Sequence, residues 1–220
     1  MKKSLFLFLL ILTFGSQLKA QKIGITGGFV NSGAPFDSQN ALIPDLDRLN
    51  SFYVGAYFDF RLSAKLRLSP ELLFSQRGTR TQIGSGAIRA VNNTLSLPVL
   101  LNYDVTDKLS LNAGVEYAYW LDYQFKGETD FEIDLNRPFR DLGSLLFGAS
   151  FKVNENLSAN VRYGWTIWPV GRGQIVPQLN GSLTTVTIDG DPNYLQLGLS
   201  YQLFDLNGLS QRRKQRNDVK

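Results

Sequence analysis

Three residues able to do chemistry, Glu71, Glu116 and Arg162, fall at matching positions in three alternating segments. Counted from hairpin centres at Ala64, Asp107 and Glu155, they stand seven, nine and seven residues along their segments, each on the polar face. That spacing puts two carboxylates and a guanidinium at comparable depth in any lumen those faces enclose. A charge in a low-dielectric interior is costly unless paired, so the spacing predicts Arg162 bridging Glu71 and Glu116. Asp59, Arg61, Arg67, Arg77 and Asp122 lie on the same faces and would extend the network. Two readings stand open: a gate or ion path, and a structural plug that fills the lumen and satisfies its charges.

A second cluster lies between Lys126 and Arg140, where Glu128, Asp130, Glu132 and Asp134 occupy every second position. On an extended segment these carboxylates share one side, and such oxygen ligands suit Ca²⁺. The segment lacks the glycine turn of a calcium loop, and Arg137 and Arg140 partly neutralise it. The alternative is a solvated loop edge, and no metal or other cofactor is expected.

Composition removes whole classes of function. The 220 residues include no cysteine and no histidine, which excludes thiol catalysis, thiolate zinc sites and Ser-His-Asp hydrolysis. The sequence therefore predicts a protein that is not an enzyme. Charged residues make up 19% of the chain, below the roughly 25% usual in soluble domains, whereas aromatics reach 12% and glycines number 20. This balance points to a membrane and to strands.

Residues 1–20 read as a secretory signal peptide: Lys2 and Lys3, an apolar run from Leu5 to Phe14 broken by Thr13 alone, and a cleavage site ending at Ala20. Without Lys2, Lys3 and Lys19, the chain keeps 20 of its 23 basic residues against 19 acidic ones, so its charge gives no reason to expect nucleic acid. After residue 20 no apolar run is long enough for a spanning helix. The exported product is either soluble or a barrel.

Period-two alternation decides between them. From Leu109 to Phe125, Leu, Val, Tyr and Phe fall on one face and Ser110, Asn112, Gly114, Glu116, Trp120 and Asp122 on the other. The same pattern occurs over residues 22–30, 52–62, 66–77, 95–105, 145–153, 157–167 and 195–203, predicting eight strands. Tight polar hairpins at residues 63–65, 106–108 and 154–156 alternate with long links at 31–50, 78–93, 126–140 and 169–191, with Asn180-Gly181 turning a small hairpin inside the last. This predicts an all-β fold, an eight-stranded antiparallel up-and-down transmembrane β-barrel with short turns at one end and long loops at the other.

A soluble eight-stranded barrel also alternates, so the faces must be assigned. The polar face is mainly Gly, Ser, Asn, Thr and Gln, which suits a narrow filled lumen better than a solvated exterior. On the apolar face Phe60, Tyr103, Phe151 and Tyr201 gather near the short turns, and Phe29, Phe52, Phe74, Tyr119, Tyr123 and Trp165 toward the long loops. Two interfacial girdles result. Phe52 and Phe60 are separated by roughly 20 Å of height at about 3.3 Å per residue and a tilt of about 40°, near the ~25 Å apolar band of such barrels.

Particular blocks carry a family resemblance. Ser51-Phe52-Tyr53-Val54-Gly55, the run from Leu68 to Gly78 with Pro70-Glu71-Leu72-Leu73-Phe74-Ser75-Gln76 at its centre, and the run from Leu95 to Tyr103 resemble the PorT-type outer-membrane beta-barrel family of Bacteroidetes. Leu109 to Gly114 and Tyr194 to Tyr201 are similar to the same family, and the likeness covers nearly all of residues 21–204. The resemblance implies an eight-stranded barrel of the cell outer membrane, loosely described as porin-family and mostly without an assigned reaction. The namesake serves protein secretion and gliding, and no motif here singles out that role. Expected partners are outer-membrane lipid and subunits of an envelope complex, with a narrow solute or ion channel as the alternative function. One departure is the continuation past Phe204 into residues 205–220, a basic tail containing Arg212-Arg213-Lys214-Gln215-Arg216 that would sit in the periplasm.

Overall fold

The computed structural model describes residues 22–33, 47–83, 86–126, 141–168, 173–175, 178–179, 182–183, 186–188 and 193–206. The signal peptide, the acidic positions Glu128, Asp130, Glu132 and Asp134, and the tail from residue 207 lie outside the described residues. Twelve strands are described: β1 (Lys22–Gly33), β2 (Asp47–Arg61), β3 (Leu66–Ile83), β4 (Gly86–Asp104), β5 (Leu109–Lys126), β6 (Asp141–Lys152), β7 (Leu157–Trp168), β8 (Gly173–Ile175), β9 (Gln178–Leu179), β10 (Ser182–Leu183), β11 (Val186–Ile188) and β12 (Asn193–Asp205). Eight of them close into an antiparallel barrel in the order β1-β12-β7-β6-β5-β4-β3-β2. The hairpin expected at Asn180-Gly181 falls between β9 and β10, where Ser182 pairs with Leu179.

The short turns repeat one local solution. In each, two successive N–H groups donate to the carbonyl of the leucine that opens the next strand: Leu62 and Ser63 to Leu66, Val105 and Thr106 to Leu109, Val153 and Asn154 to Leu157, at 2.9 and 3.1 Å every time. A short polar side chain holds the bend. Thr106 Oγ1 accepts from Leu109 N–H at 3.0 Å and Asn154 Oδ1 from Leu157 N–H at 2.8 Å, the local bonds that make Thr and Asn turn formers. Neighbouring turns are then stitched together, since Asp104, Lys152 and Gln202 each donate at 2.8 Å to the last turn carbonyl of the adjacent hairpin.

Two departures from the sequence expectation lie in β3, β4 and β5. The link expected over 78–93 is strand: β3 and β4 run to Ile83 and from Gly86, pairing from Gly78 with Val91 out to Ile83 with Gly86. Thr79, Arg80, Thr81 and Gln82 carry no apolar alternation in the sequence, although their backbone ladder continues. The second difference is a bulge in β5. Asn93 pairs with Asp122 and Thr94 with Trp120, leaving Leu121 as the extra residue.

Along each strand the faces separate as alternation requires. Leu97, Val99, Leu101, Val115, Tyr117, Val161 and Leu197 point outward and are exposed, while Thr94, Ser96, Asn102, Asn112 and Gln196 are buried inside. The interior is less uniformly polar than expected. Val30, Tyr53, Leu73, Leu100, Leu146 and Tyr194 form a buried apolar cluster in the lumen. Pro98, also fully buried, lies where the ladder between β3 and β4 is interrupted from Pro70–Val99 to Leu73–Ser96, the position at which a missing N–H costs least.

Candidate functional site

The lumen holds the charged residues singled out by spacing, in an arrangement different from the expected one. Arg162 on β7 donates through Nη1 and Nη2 to Glu71 Oε2 and Oε1 on β3, both at 2.8 Å. In the closed ring β3 and β7 lie four strands apart, so this bidentate pair spans the barrel. Glu116 does not share Arg162. It takes Arg77 instead, whose Nη1 and Nη2 donate to Glu116 Oε1 and Oε2 at 2.8 and 3.0 Å. Counting along strands treats them as vertical, whereas barrel strands tilt and stagger, and the long Arg77 side chain spans the resulting offset. The single three-residue bridge is thus replaced by two forked pairs, the geometry guanidinium and carboxylate favour.

Tyr194 completes the second pair. Its hydroxyl donates to Glu116 Oε1 at 2.8 Å, and the Arg77 guanidinium carbon lies 3.8 Å from its ring centroid. Arg77 Nε also donates to Ser75 Oγ at 3.1 Å. The Tyr194 ring fits because β7 presents Gly164 directly opposite it: a Cβ there would lie 2.2 Å from the Tyr194 ring. Tyr53 uses the same device. It crosses the lumen from β2 above Gly198, where a Cβ would approach its hydroxyl to 2.1 Å, and donates to Asn160 Oδ1 on β7 at 2.9 Å. Asn160 Nδ2 in turn donates to Ser200 Oγ at 3.0 Å, and Ser200 to Thr26 Oγ1 at 2.9 Å. Inward tyrosines therefore occupy space that inward glycines vacate, and with the paired arginines they cross-brace the wall.

Toward the short turns a third cluster centres on Arg67. Its Nη1 donates to Asp59 Oδ2 at 2.8 Å and its Nη2 to Asp104 Oδ1 at 2.9 Å. Ser110 donates to Asp104 at 2.6 Å, Asn102 Nδ2 to Ser69 Oγ at 2.7 Å, and Ser69 to Asp59 Oδ1. This cluster lines a cavity of about 1040 Å³ that opens among the short turns and has Glu71, Leu100 and Arg162 at its inner end. Arg61 stands exposed at its rim rather than within the ion pairs.

Asp122 is a correction. The Leu121 bulge shifts the alternation, so Asp122 pairs with Asn93 on the outer face and is exposed instead of entering the lumen. The aromatic positions fall as follows. Tyr103, Phe151 and Tyr201 are outward and exposed near the short turns, and Phe60, half-buried, pairs with Leu68. Toward the long loops Phe29 and Trp165 are exposed, Phe52 packs against Phe74 with ring centroids 6.2 Å apart, and Tyr119 pairs with Leu95. Tyr123 pairs by backbone with Asn92, and its side chain lies outside those described. Sequence reading put Tyr53 on the polar face without assigning it a role, and it missed Tyr194, Leu73, Leu100 and Leu146 as lumen residues. Their parity along the strands was a usable signal, but their apolar character hid it.

The family described as outer membrane protein beta-barrel domain has a model that matches residues 16–170. No curated protein matches the chain. Among solved structures, the chain is similar to the outer membrane protein OprG from Pseudomonas aeruginosa, at 18% identity over 84% of this chain and 97% of that one, with a TM-score of 0.49. It is similar to Neisserial surface protein A, at 10% identity over 84% and 99% of the two chains, with a TM-score of 0.48. Ail, the attachment invasion locus protein of Yersinia pestis, shares 13% identity over 84% and 100%, with a TM-score of 0.44.

Proposed function

The chain belongs to the outer membrane protein beta-barrel domain family and resides in the outer membrane, and from that premise we propose that it is a non-enzymatic, non-conducting barrel that serves as an accessory subunit of an envelope complex. One observation carries this reading: the lumen holds two forked ion pairs, Arg162–Glu71 across it and Arg77–Glu116 between β3 and β5, together with the cluster of Leu73, Leu100, Leu146 and Tyr194. Eight strands leave room for side chains and little else, and at the level of these pairs that room is filled, the cavity toward the short turns ending at Arg162 and Glu71. What remains to meet a partner is the outer surface, the long connections and the basic tail. The finer assignment, to the PorT-type family of Bacteroidetes with secretion or assembly as its setting, is supported by the Pro70 to Gln76 block.

A second reading, a narrow channel, is favoured by the cavity of about 1040 Å³, which reaches from the short turns to the Arg162–Glu71 pair. In that reading only the cross-braced layer separates the two sides. The accessory role is tested by gentle detergent extraction of tagged full-length protein from outer membranes, size-exclusion chromatography and mass spectrometry. The expected result is a companion envelope protein at fixed stoichiometry. A lone barrel at every detergent concentration would contradict the role.

A further inference from the structure

The outer wall of β1 to β5 is layered toward the long loops. An aromatic and apolar row crosses it first: Phe29 pairs with Phe52, Phe74 with Leu95 and Leu95 with Tyr119. Two residues further along each of the first four strands stand carboxamides, Asn31, Asn50, Gln76 and Asn93, with Asp122 continuing the row past the Leu121 bulge. Asn31 Nδ2 donates to Asn50 Oδ1 at 2.7 Å and Gln76 Nε2 to Asn93 Oδ1 at 3.0 Å. Four residues beyond Gln76 and Asn93, on the same outer face, Arg80 and Arg89 oppose one another directly. Backbone register continues the row with Asp47 beside Arg80 and Lys126 beside Arg89.

The arginine pair is costly as it stands. Like charges directly across a ladder repel, and Arg80 Nε is buried without a hydrogen-bond partner. Neither arginine makes an ion pair among the described residues. The acidic groups nearby are Asp47 at the row's edge and Asp122 in the carboxamide row, and Arg48 adds a further cation, bound to Asn31. A phosphate between two guanidinium groups relieves the repulsion and matches their donor geometry.

Height identifies the source of that phosphate. Aromatic girdles mark the headgroup level. Arg80 lies six residues beyond Phe74, roughly 15 Å further out at about 3.3 Å per residue and a tilt of about 40°. The headgroup layer of an ordinary bilayer adds only about 5–8 Å per side. The carboxamides lie within that layer, and the arginines beyond it.

We propose that the outer face of β1 to β5 binds an outer-leaflet glycolipid whose headgroup is a phosphorylated oligosaccharide. The carboxamide row hydrogen-bonds its inner sugars, and Arg80 and Arg89 hold a phosphate further out.

The test uses the full-length protein in detergent, titrated with lipopolysaccharide bearing a phosphorylated core and with the same material after dephosphorylation, complexes being counted by native mass spectrometry. Dephosphorylation is expected to weaken binding on the order of tenfold, as is the double variant Arg80→Gln, Arg89→Gln, while Arg80→Lys, Arg89→Lys retains most of it. Equal affinity for both lipopolysaccharides would overturn the proposal even if the variants failed to fold. Full displacement by inorganic phosphate, or equal affinity for phosphatidylglycerol vesicles, would also overturn it by showing a generic anion site.

Discussion

Arg162 and Glu71 meet through two contacts of 2.8 Å from strands on opposite sides of the barrel. Both side chains are buried, so each charge is tolerated only because of the other. Glu71→Gln strands a guanidinium in the lumen and is expected to cost about 3–5 kcal/mol in urea unfolding from detergent micelles. The double variant Glu71→Leu, Arg162→Met removes both charges and should cost less than either single change. A double variant as unstable as the sum of its parts would show that the pair is not the unit that matters.

Tyr194 links the second ion pair to the wall through its hydroxyl on Glu116 and its ring beneath Arg77. Tyr194→Phe keeps the ring and is expected to cost about 1–3 kcal/mol, the range for a lost hydrogen bond to a buried charged group. Tyr194→Leu should cost a further ~0.5–2 kcal/mol by removing the aromatic face as well. Indistinguishable stabilities for the two variants would argue against the ring contact.

Gly164 makes space for that ring, so Gly164→Ala should destabilise by about 1–3 kcal/mol. In a Tyr194→Leu background the same substitution should be nearly neutral. The coupling in this double-mutant cycle is the readout, and additivity would refute the packing account.

The bulge at Leu121 can be checked chemically because the native chain has no cysteine. Asp122→Cys and Asn93→Cys are expected to react with a bulky charged maleimide on the folded protein, and Asn92→Cys, facing the lumen, to be protected. Protection of Asp122→Cys would return it to the interior.

Much of the fold was legible because the lipid and the lumen impose opposite polarity on successive residues, which is a period-two signal by construction. The turns were legible for a separate reason: Ser63, Thr106 and Asn154 encode their own bends. Two things were hidden. The run Thr79-Arg80-Thr81-Gln82 has no apolar alternation in sequence, so its strand left no period to read. The pairing of Glu116 with Arg77 depends on tilt and stagger between strands, which a count along one strand does not contain. Asp122 failed for a third reason, since a single bulged residue inverts every assignment beyond it.

Closure of the lumen by side chains is tested by planar bilayer recording. Purified full-length protein, shown to be folded by its heat-modifiable gel mobility, should insert without conductance steps, while Arg162→Ala combined with Glu116→Ala should open measurable, salt-dependent events. Steady conductance from the unaltered protein, changed by those same substitutions, would contradict the account and establish the lumen as a channel.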